Sequence, residues 1–322
     1  MRHAHALSIL CFGLSGIAPV VAAQDYPAKP VRMVVGFPPG GGADVVARQF
    51  TPRLSEQLGQ QVVIDYRSGA SGNIALELLA KAPPDGYTLM LTTPTVTVNP
   101  ALYPNLPYDT LRDFAPVVLV ASTVYVLVVH PSLPVKSVKE LIALAKARPG
   151  ELFYSSGGNG AAAHLAGELF NSMSGIRVAH VPYKGVAAAL IAVLSGETQV
   201  TFGSQPTALP HVKQGRLRPL AVTSAKRSPF TPGLPSLAEA ALPGYETTAW
   251  FGILAPAKTP TTIINRLNSE MNRALDRAEV KAGFAGQSLE SIGGTPEQFS
   301  ALIKDELVKW RKVVKEAGMR ID

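Results

Sequence analysis

Apolar positions along the first third of the chain follow two alternating periods. Short runs of β-branched residues, typical of buried strands, are each followed by a longer segment with apolar residues at helical spacing. This alternation predicts mostly parallel sheets covered by helices on both faces. The predicted strands are residues 31–37, 61–66 and 87–92, and the predicted helices are residues 43–58, with Pro52 as a kink or an early end, and residues 73–81.

The same pattern starts again after residue 124. It predicts strands at residues 125–129, 152–155, 177–181, 199–202 and 217–223, and helices at residues 138–147, 161–173 and 186–194. A segment rich in proline and glycine, residues 229–243, reads as a surface connection. After it come a strand at residues 246–254 and two long helices at residues 261–278 and 296–317.

Two series of strands predict two α/β lobes. The last two helices have no strand series of their own, so we expect them to pack on the first lobe. The chain would then cross between the lobes twice, near residues 122–125 and 246–251, with a cleft between them. This organisation assigns residues 24–124 and 246–322 to lobe 1 and residues 125–245 to lobe 2.

The first 23 residues have the features of a secretory signal peptide. A short positive start is followed by an apolar run and by Val21-Ala22-Ala23, which predicts cleavage after Ala23. The alternative is a buried N-terminal helix. The single cysteine, Cys11, lies inside this stretch. The mature chain therefore has no disulfide, no thiolate metal site and no cysteine nucleophile.

The formal charge of the whole chain is +7, from 30 Lys and Arg against 23 Asp and Glu. Basic residues are spread along predicted helices and interleave with acidic ones, which is typical of solvated helix faces. No nucleic-acid-binding motif is present, so we expect no nucleic-acid partner. A positive mean field favours small anionic ligands.

Two glycine-rich turns each connect the carboxyl end of a predicted strand to a helix. Ligands of open α/β sheets lie at that end of the strands. Helix N-termini hold anions because their N–H groups are free and carry partial positive charge. The alternative is that both are tight turns with capping side chains. The candidate ligand-binding residues of the two turns are Phe37, Pro39, Gly40, Gly41, Gly42 and Asp44, and Ser155, Ser156, Gly157, Asn159, Gly160 and His164.

Catalytic and cofactor motifs are missing from the sequence. It has no P-loop, no G-x-S-x-G elbow and no H-E-x-x-H pair, and we expect no cofactor and no metal. His164 and Glu168 have the spacing of two metal ligands on one helix face, but a third ligand cannot be located. Asp44 fits a capping role better than that of a general base, because its charge would repel an anion.

Four segments carry a family resemblance: residues 37–41 (FPPGG), 183–185 (YKG), 220–228 (LAVTSAKRS) and 250–252 (WFG). In combination they resemble the Bug-type extracytoplasmic solute receptors of tripartite tricarboxylate transporters, over residues 26–318. The resemblance implies an α/β, two-lobe periplasmic binding protein fold (type II-like), with two mixed, mostly parallel sheets and a ligand cleft between them. It also implies that residues 37–44 and 155–160 grip a carboxylate through backbone groups and ordered water. Tyr183, Lys184 and Gly185 resemble a further cleft segment, and Thr93 and Gln205 complete the predicted ligand-binding set.

The chain departs from the family pattern at a few positions. Asp65-Tyr66 and Ser68 replace other residues of one turn, and Gln199 and Gly203 stand where relatives often carry an aspartate. An aspartate there would suit a ligand ammonium, so its absence argues against an amino-acid ligand.

The sequence thus predicts a monomeric periplasmic receptor that captures a small carboxylate for the membrane subunits of a tripartite transporter and is not an enzyme. Two alternatives stay open. One is a periplasmic enzyme acting on a carboxylate, with His164 as base. The other is a ligand-sensing module for a membrane signalling partner. Mono-, di- and tricarboxylates all remain candidates.

Overall fold

The computed structural model describes residues 26–316 and residue 318. The predicted signal peptide, residues 1–23, lies outside these residues. The strands are β1 (Val31–Val35), β2 (Val62–Tyr66), β3 (Thr88–Thr92), β4 (Phe114–Val129), β5 (Phe153–Ser156), β6 (Ala179–Pro182), β7 (Val200–Ser204), β8 (Arg218–Val222), β9 (Thr248–Pro256) and β10 (Glu290–Gly293). The helices are α1 (Gly42–Leu58), α2 (Asn73–Ala80), α3 (Thr95–Leu102), α4 (Thr110–Asp113), α5 (Val138–Ala147), α6 (Ala162–Ser174), α7 (Val186–Leu194), α8 (Gln205–Lys213), α9 (Leu237–Ala240), α10 (Thr261–Leu275), α11 (Ala278–Gly286) and α12 (Pro296–Glu316).

The strands form two mixed sheets that share β4. The first sheet has the order β2-β1-β3-β9-β4, with β10 also paired to β4. The second has the order β4-β7-β5-β6, with β8 on the other side of β4. Strands β1, β2 and β3 are parallel to one another, as are β5, β6 and β7. The antiparallel pairs all involve β4 or β9.

Strand β4 runs without interruption from one sheet into the other. Its residues from Phe114 to Val124 pair with β9, whereas those from Tyr125 to Val129 pair with β7 and β8. The chain returns beside this crossing, where the Thr247 N–H donates to the carbonyl of Thr223 (2.8 Å) before β9 begins. The lobe boundaries at residues 124/125 and 245/246 stay a prediction.

Two apolar cores stabilise the two sheets. One joins β1 and β9 to helices α1, α10 and α11 through buried side chains such as Phe50, Met271 and Phe284. The other surrounds β5 and β7 and includes Tyr154 and Phe202. No helix in the described part of the chain combines the length and the hydropathy that a membrane span requires.

Helix α1 was predicted to within one residue and continues through Pro52 without an early end, because its buried face, including Val46 and Leu54, holds it against the sheet. Several other elements differ from the sequence prediction. Helices α3 and α8 also contain prolines and were not predicted. The predicted helix at residues 261–278 ends at Leu275, and α11 and β10 follow it.

Candidate functional site

A cavity of about 300 Å³ lies between the facing edges of the two sheets. It is bordered on one side by the β1–α1 loop and on the other by the β5–α6 loop and the β6–α7 turn. Sequence analysis predicted these lining residues: Phe37, Pro39, Gly40, Gly41, Gly42, Thr93, Ser156, Gly157, Lys184 and Gly185. Their role in binding stays a prediction.

Several helices begin at the wall of this cavity. The first turns of α1, α3, α6, α7 and α8 all contribute lining residues. The first N–H groups of a helix have no partner within it and carry partial positive charge. Within the described part of the chain, Lys184 is the one charged side chain that lines the cavity, and no carboxylate does. The cavity is therefore electrostatically suited to an anion.

The β1–α1 loop is held in place by the carboxylate of Asp44. One oxygen accepts the Gly40 N–H (2.9 Å), and the other accepts Arg48 Nε (2.6 Å) and the Tyr66 hydroxyl. Gly40 has φ +92°, a conformation that favours glycine. Burial alone would raise the pKa of Asp44, but the hydrogen bonds from Tyr66, Gly40 and Arg48 lower it below its usual value. Asp44 therefore shapes the loop while its charge is turned away from the cavity, whose lining it does not join.

We expect Asp44→Asn to weaken ligand binding several-fold. The variant loses the charge that holds the Gly40 N–H, and a hydrogen bond to a charged group contributes about 1.5–3 kcal/mol. Asp109 offers a matched control, because its carboxylate also accepts backbone N–H groups, at the start of the distant α4. Calorimetric titration of Asp44→Asn and Asp109→Asn makes the comparison. Equal affinities for the two variants would contradict the positioning role of Asp44.

The β5–α6 loop is supported by the side chain of Ser156. Its Oγ lies 2.6 Å from Nε2 of His180 and 3.0 Å from the carbonyl oxygen of Gly158. Gly157 approaches the start of α7 so closely that a Cβ atom at this position would lie 3.0 Å from the backbone nitrogen of Val186. The Gly157 carbonyl also accepts the N–H of Gly185 (3.2 Å). A side chain at position 157 would therefore push the two cavity-lining turns apart.

Two stacked histidines lie directly behind this loop. The His164 and His180 ring centroids are 3.9 Å apart, with the planes inclined by 15°. His164 Nδ1 accepts the N–H of Gly160 (3.0 Å). Burial, with a smaller contribution from His180, lowers the pKa of His164 to about 3, and burial lowers the pKa of His180 to about 4. Both rings are therefore neutral at pH 7, and they hold the loop through Ser156 and Gly160.

The other predicted residues also lie outside the cavity lining, because their side chains or backbones make contacts within the protein. Ser155 Oγ donates to the Ala189 carbonyl (2.8 Å), the Tyr183 hydroxyl donates to Glu197 (2.8 Å), and Gln205 Nε2 donates to Ser228 Oγ (3.0 Å). The Asn159 carbonyl accepts Ser71 Oγ (2.5 Å), a contact that joins the β5–α6 loop to the segment after β2. The predicted residues outside the lining are Asp44, Ser155, Asn159, Gly160, His164, Tyr183 and Gln205.

Sequence reasoning missed part of the lining. Thr95, Ser204 and Thr207 lie at the carboxyl ends of β3 and β7, so the rule that singled out the glycine turns applies to them too. Tyr125 carried no local signal, because its place in the cavity depends on the passage of β4 between the sheets.

The chain resembles a known receptor family over most of its length. Residues 46–319 match the family described as tripartite tricarboxylate transporter family receptor. Protein BugT of Bordetella pertussis is 40% identical over 309 residues, which is 95% of each chain. Sequence identity of this order over a whole chain implies a shared fold.

Solved structures of similar proteins have the same fold. The structure of R. palustris Rpa4515 with adipate superposes on this chain with a TM-score of 0.87. The two sequences are 42% identical, and the match covers 92% of this chain and 100% of Rpa4515. MatC (Rpa3494) from Rhodopseudomonas palustris with bound malate is 29% identical, covers 90% and 100%, and has a TM-score of 0.83. These similarities confirm the predicted fold class, a two-lobe periplasmic binding protein. The chain belongs to the family of tripartite tricarboxylate transporter receptors.

Proposed function

We propose that the protein is a periplasmic receptor that captures a small carboxylate in the cavity and delivers it to the membrane subunits of a tripartite transporter. The observation that carries the proposal is the charge of the residues that line the cavity. Helix N-termini and Lys184 supply positive potential, and no described lining side chain supplies a negative charge. Adipate is bound by Rpa4515 and malate by MatC, which supports a carboxylate as the ligand class here.

The contacts of His164 favour binding over catalysis. As a general base, His164 would need to reach the ligand with an imidazole nitrogen. Its Nδ1 accepts the Gly160 N–H, its ring stacks on His180, and it does not line the cavity. Family membership supports a periplasmic receptor that releases its ligand unchanged. The proposal includes a monomeric protein and export with cleavage after Ala23, which the Val21-Ala22-Ala23 pattern supports.

We expect small carboxylates to stabilise the protein and nucleotides to leave it unchanged. A ligand at 100 times its dissociation constant adds about 2.7 kcal/mol to a protein that binds it only when folded. Thermal melts with hexanoate, adipate, malate and citrate, and with ATP and NAD, test this. The proposal fails if no acid raises the melting temperature, or if only a nucleotide does.

A substitution at Lys184 tests the same proposal. Lys184→Met should bind the best acid about tenfold more weakly, because the acid loses one hydrogen bond to a charged group. Lys139, an exposed lysine of α5 away from the cavity, is the control. If Lys184→Met and Lys139→Met bind as tightly as the unaltered protein, the Lys184 ammonium does not contact the bound anion.

A further inference from the structure

An apolar cluster outside the ligand cavity joins helices of the two lobes. On the side of the first sheet it contains Val98 and Leu102 of α3 and Trp310 and Val314 of α12. Within the described part of the chain, its one buried member from the second-sheet side is Leu165 of α6, which is 1% exposed. None of these five side chains lines the cavity.

Leu165 does not belong to the core of its own lobe. Ala163, Ala166 and Phe170 of the same helix pack in the core around β5 and β7, whereas Leu165 packs with α3 and α12. Leu165 would therefore meet water if α6 moved away from those two helices. Exposure of a leucine side chain is unfavourable, so its packing stabilises the arrangement in which the lobes meet.

A hydrogen bond joins the lobes beside this cluster. Ser71 Oγ donates to the Asn159 carbonyl (2.5 Å), and the hydroxyl of Tyr103 donates to Ser71 Oγ (3.4 Å). Tyr103 also packs against the apolar cluster, so the two features are contiguous. The packing of Leu165 on α3 and α12 and the Ser71–Asn159 hydrogen bond together form what we call the interlobe contact.

The backbone that presents Ser71 has an unusual conformation. Four successive residues, 69–72, have positive φ, and two of them, Ala70 (+46°) and Ser71 (+53°), are not glycine. Such residues are strained and persist only where their surroundings hold them. Here Nδ2 of Asn99, in α3, donates to the Ser71 carbonyl (3.2 Å). Helix α3 therefore supports both parts of the interlobe contact.

A buried carboxylate connects the interlobe contact to the cavity wall. Glu306 Oε2 accepts hydrogen bonds from Thr97 Oγ1 (3.0 Å), Trp250 Nε1 (3.1 Å) and Trp310 Nε1 (3.3 Å). Trp250 lines the cavity, and Trp310 packs in the cluster with Leu165. Glu306 thus fixes both indole rings, and the surface that receives Leu165 keeps its position relative to the cavity wall.

Helix α6 carries both a part of the cavity wall and Leu165. Ala162 and Ala163 of its first turn line the cavity, and Leu165 follows two residues later. Lobes that close around a ligand move as rigid bodies. A ligand that holds the first turn of α6 at the cavity therefore also holds Leu165 between α3 and α12.

We propose that the interlobe contact sets the affinity of this receptor without touching the ligand. Leu165 leaves α3 and α12 when the lobes separate, and it returns when they close. The apparent dissociation constant is the intrinsic one divided by the fraction of the protein in the binding-competent arrangement, so loss of the contact weakens binding from a distance. This inference rests on the proposed function and makes Leu165 a positioning residue for it.

A thiol at position 165 tests the movement. The single cysteine of the chain, Cys11, lies in the predicted signal peptide, so mature Leu165→Cys would carry one thiol. We expect N-ethylmaleimide to modify it in the ligand-free protein, and about tenfold more slowly at saturation with ligand. The ligand is whichever of hexanoate, adipate, malate and citrate raises the melting temperature most. Ala166→Cys, at a position fully buried in the core of the second sheet, is the control and should react slowly in both states.

Leu165→Ala tests the effect on affinity. Calorimetric titration with the same acid should show about tenfold weaker binding, because less apolar surface is buried when the lobes meet. Leu165→Met keeps most of the apolar volume and should stay within about threefold of the unaltered protein. Leu169→Ala is the matched control, one turn later in α6 and packed against the core of the second sheet. It should lower the melting temperature and leave the affinity within about twofold.

Two results would overturn the inference. One is a thiol at position 165 that reacts equally fast with and without the saturating acid. The other is a folded Leu165→Ala protein whose affinity is unaltered. In both cases the acid still binds, so the proposed function stands. If none of the four acids raises the melting temperature, the proposed function itself fails and the inference fails with it.

Discussion

Replacing Gly157 by valine should weaken carboxylate binding about a hundredfold. The Cβ atom would lie 3.0 Å from the Val186 nitrogen and 3.1 Å from the Gly185 carbonyl carbon, and both are backbone atoms that cannot rotate away. The β5–α6 loop and the start of α7 would therefore separate. We expect the ligand to lose two hydrogen bonds from backbone N–H groups, each contributing about 1.5–3 kcal/mol to a charged partner. Each 1.4 kcal/mol is a factor of about ten in affinity.

Gly233→Val is the matched control for this substitution. Gly233 lies in a surface connection, its φ is not in the left-handed region, and a Cβ atom there meets nothing within 4 Å. Calorimetric titration with the best acid should separate the two variants clearly. Thermal melts would show whether Gly157→Val remains folded. Binding of unaltered strength in a folded Gly157→Val protein would remove this loop from the ligand site.

The stacked histidines should make the protein lose stability steeply between pH 6.5 and pH 4. Burial depresses the folded-state pKa of His164 to about 3 and that of His180 to about 4, whereas an unfolded histidine titrates near pH 6.5. Between these values the unfolded state binds more protons, so the free energy of unfolding falls as the pH falls. The stability is fully present above pH 6.5, and the loss by pH 4 should be on the order of 3 kcal/mol for each of the two histidines.

Urea unfolding at pH 7.5, 5 and 4 measures this loss. His164→Gln retains an acceptor for the Gly160 N–H but removes one titrating ring, so its stability should depend less on pH. His130→Gln, at a surface histidine that contacts Ser132, should keep the pH dependence of the unaltered protein. The interpretation fails if His164→Gln loses as much stability as the unaltered protein does.

The sequence pattern predicted most of the helices and strands that surround the cavity, but it missed helix α8 and part of strand β4. Helices α5 and α7 were predicted to the residue, and β5 and α6 to within one, because their apolar periodicity is strong and glycine or proline ends them. Helix α8 was missed, since Pro210 argues locally against a helix interior. Strand β4 was only partly predicted, because Ser122-Thr123 interrupts its apolar run. Thr123 is instead held by a hydrogen bond to the Ser288 carbonyl.

The residues of the candidate site also fall into two groups, those that the sequence could place and those that it could not. Glycine turns at the ends of β1 and β5 could be identified from the sequence, because strand, turn and helix are adjacent in the chain and the chemistry of a helix start is local. The sequence could not show that the side chains of His164 and Tyr183 lie outside the cavity lining. His164 belongs to the predicted turn but lies behind the loop, because His180, sixteen residues later, stacks on it from the neighbouring strand.

By itself, the sequence determined the alternation of strands and helices, the two anion-ready turns, the absence of catalytic motifs and the family. Only the tertiary structure decided which of these residues face the cavity. Tyr125 reaches it because β4 continues from one sheet into the other, and Ser71 meets Asn159 across 88 residues of chain. The physical reason is the distance along the chain over which each feature is determined. The local sequence pattern determines helices, strands and caps. Strand order and register depend on packing between distant segments, and they determine which side chains contact a ligand.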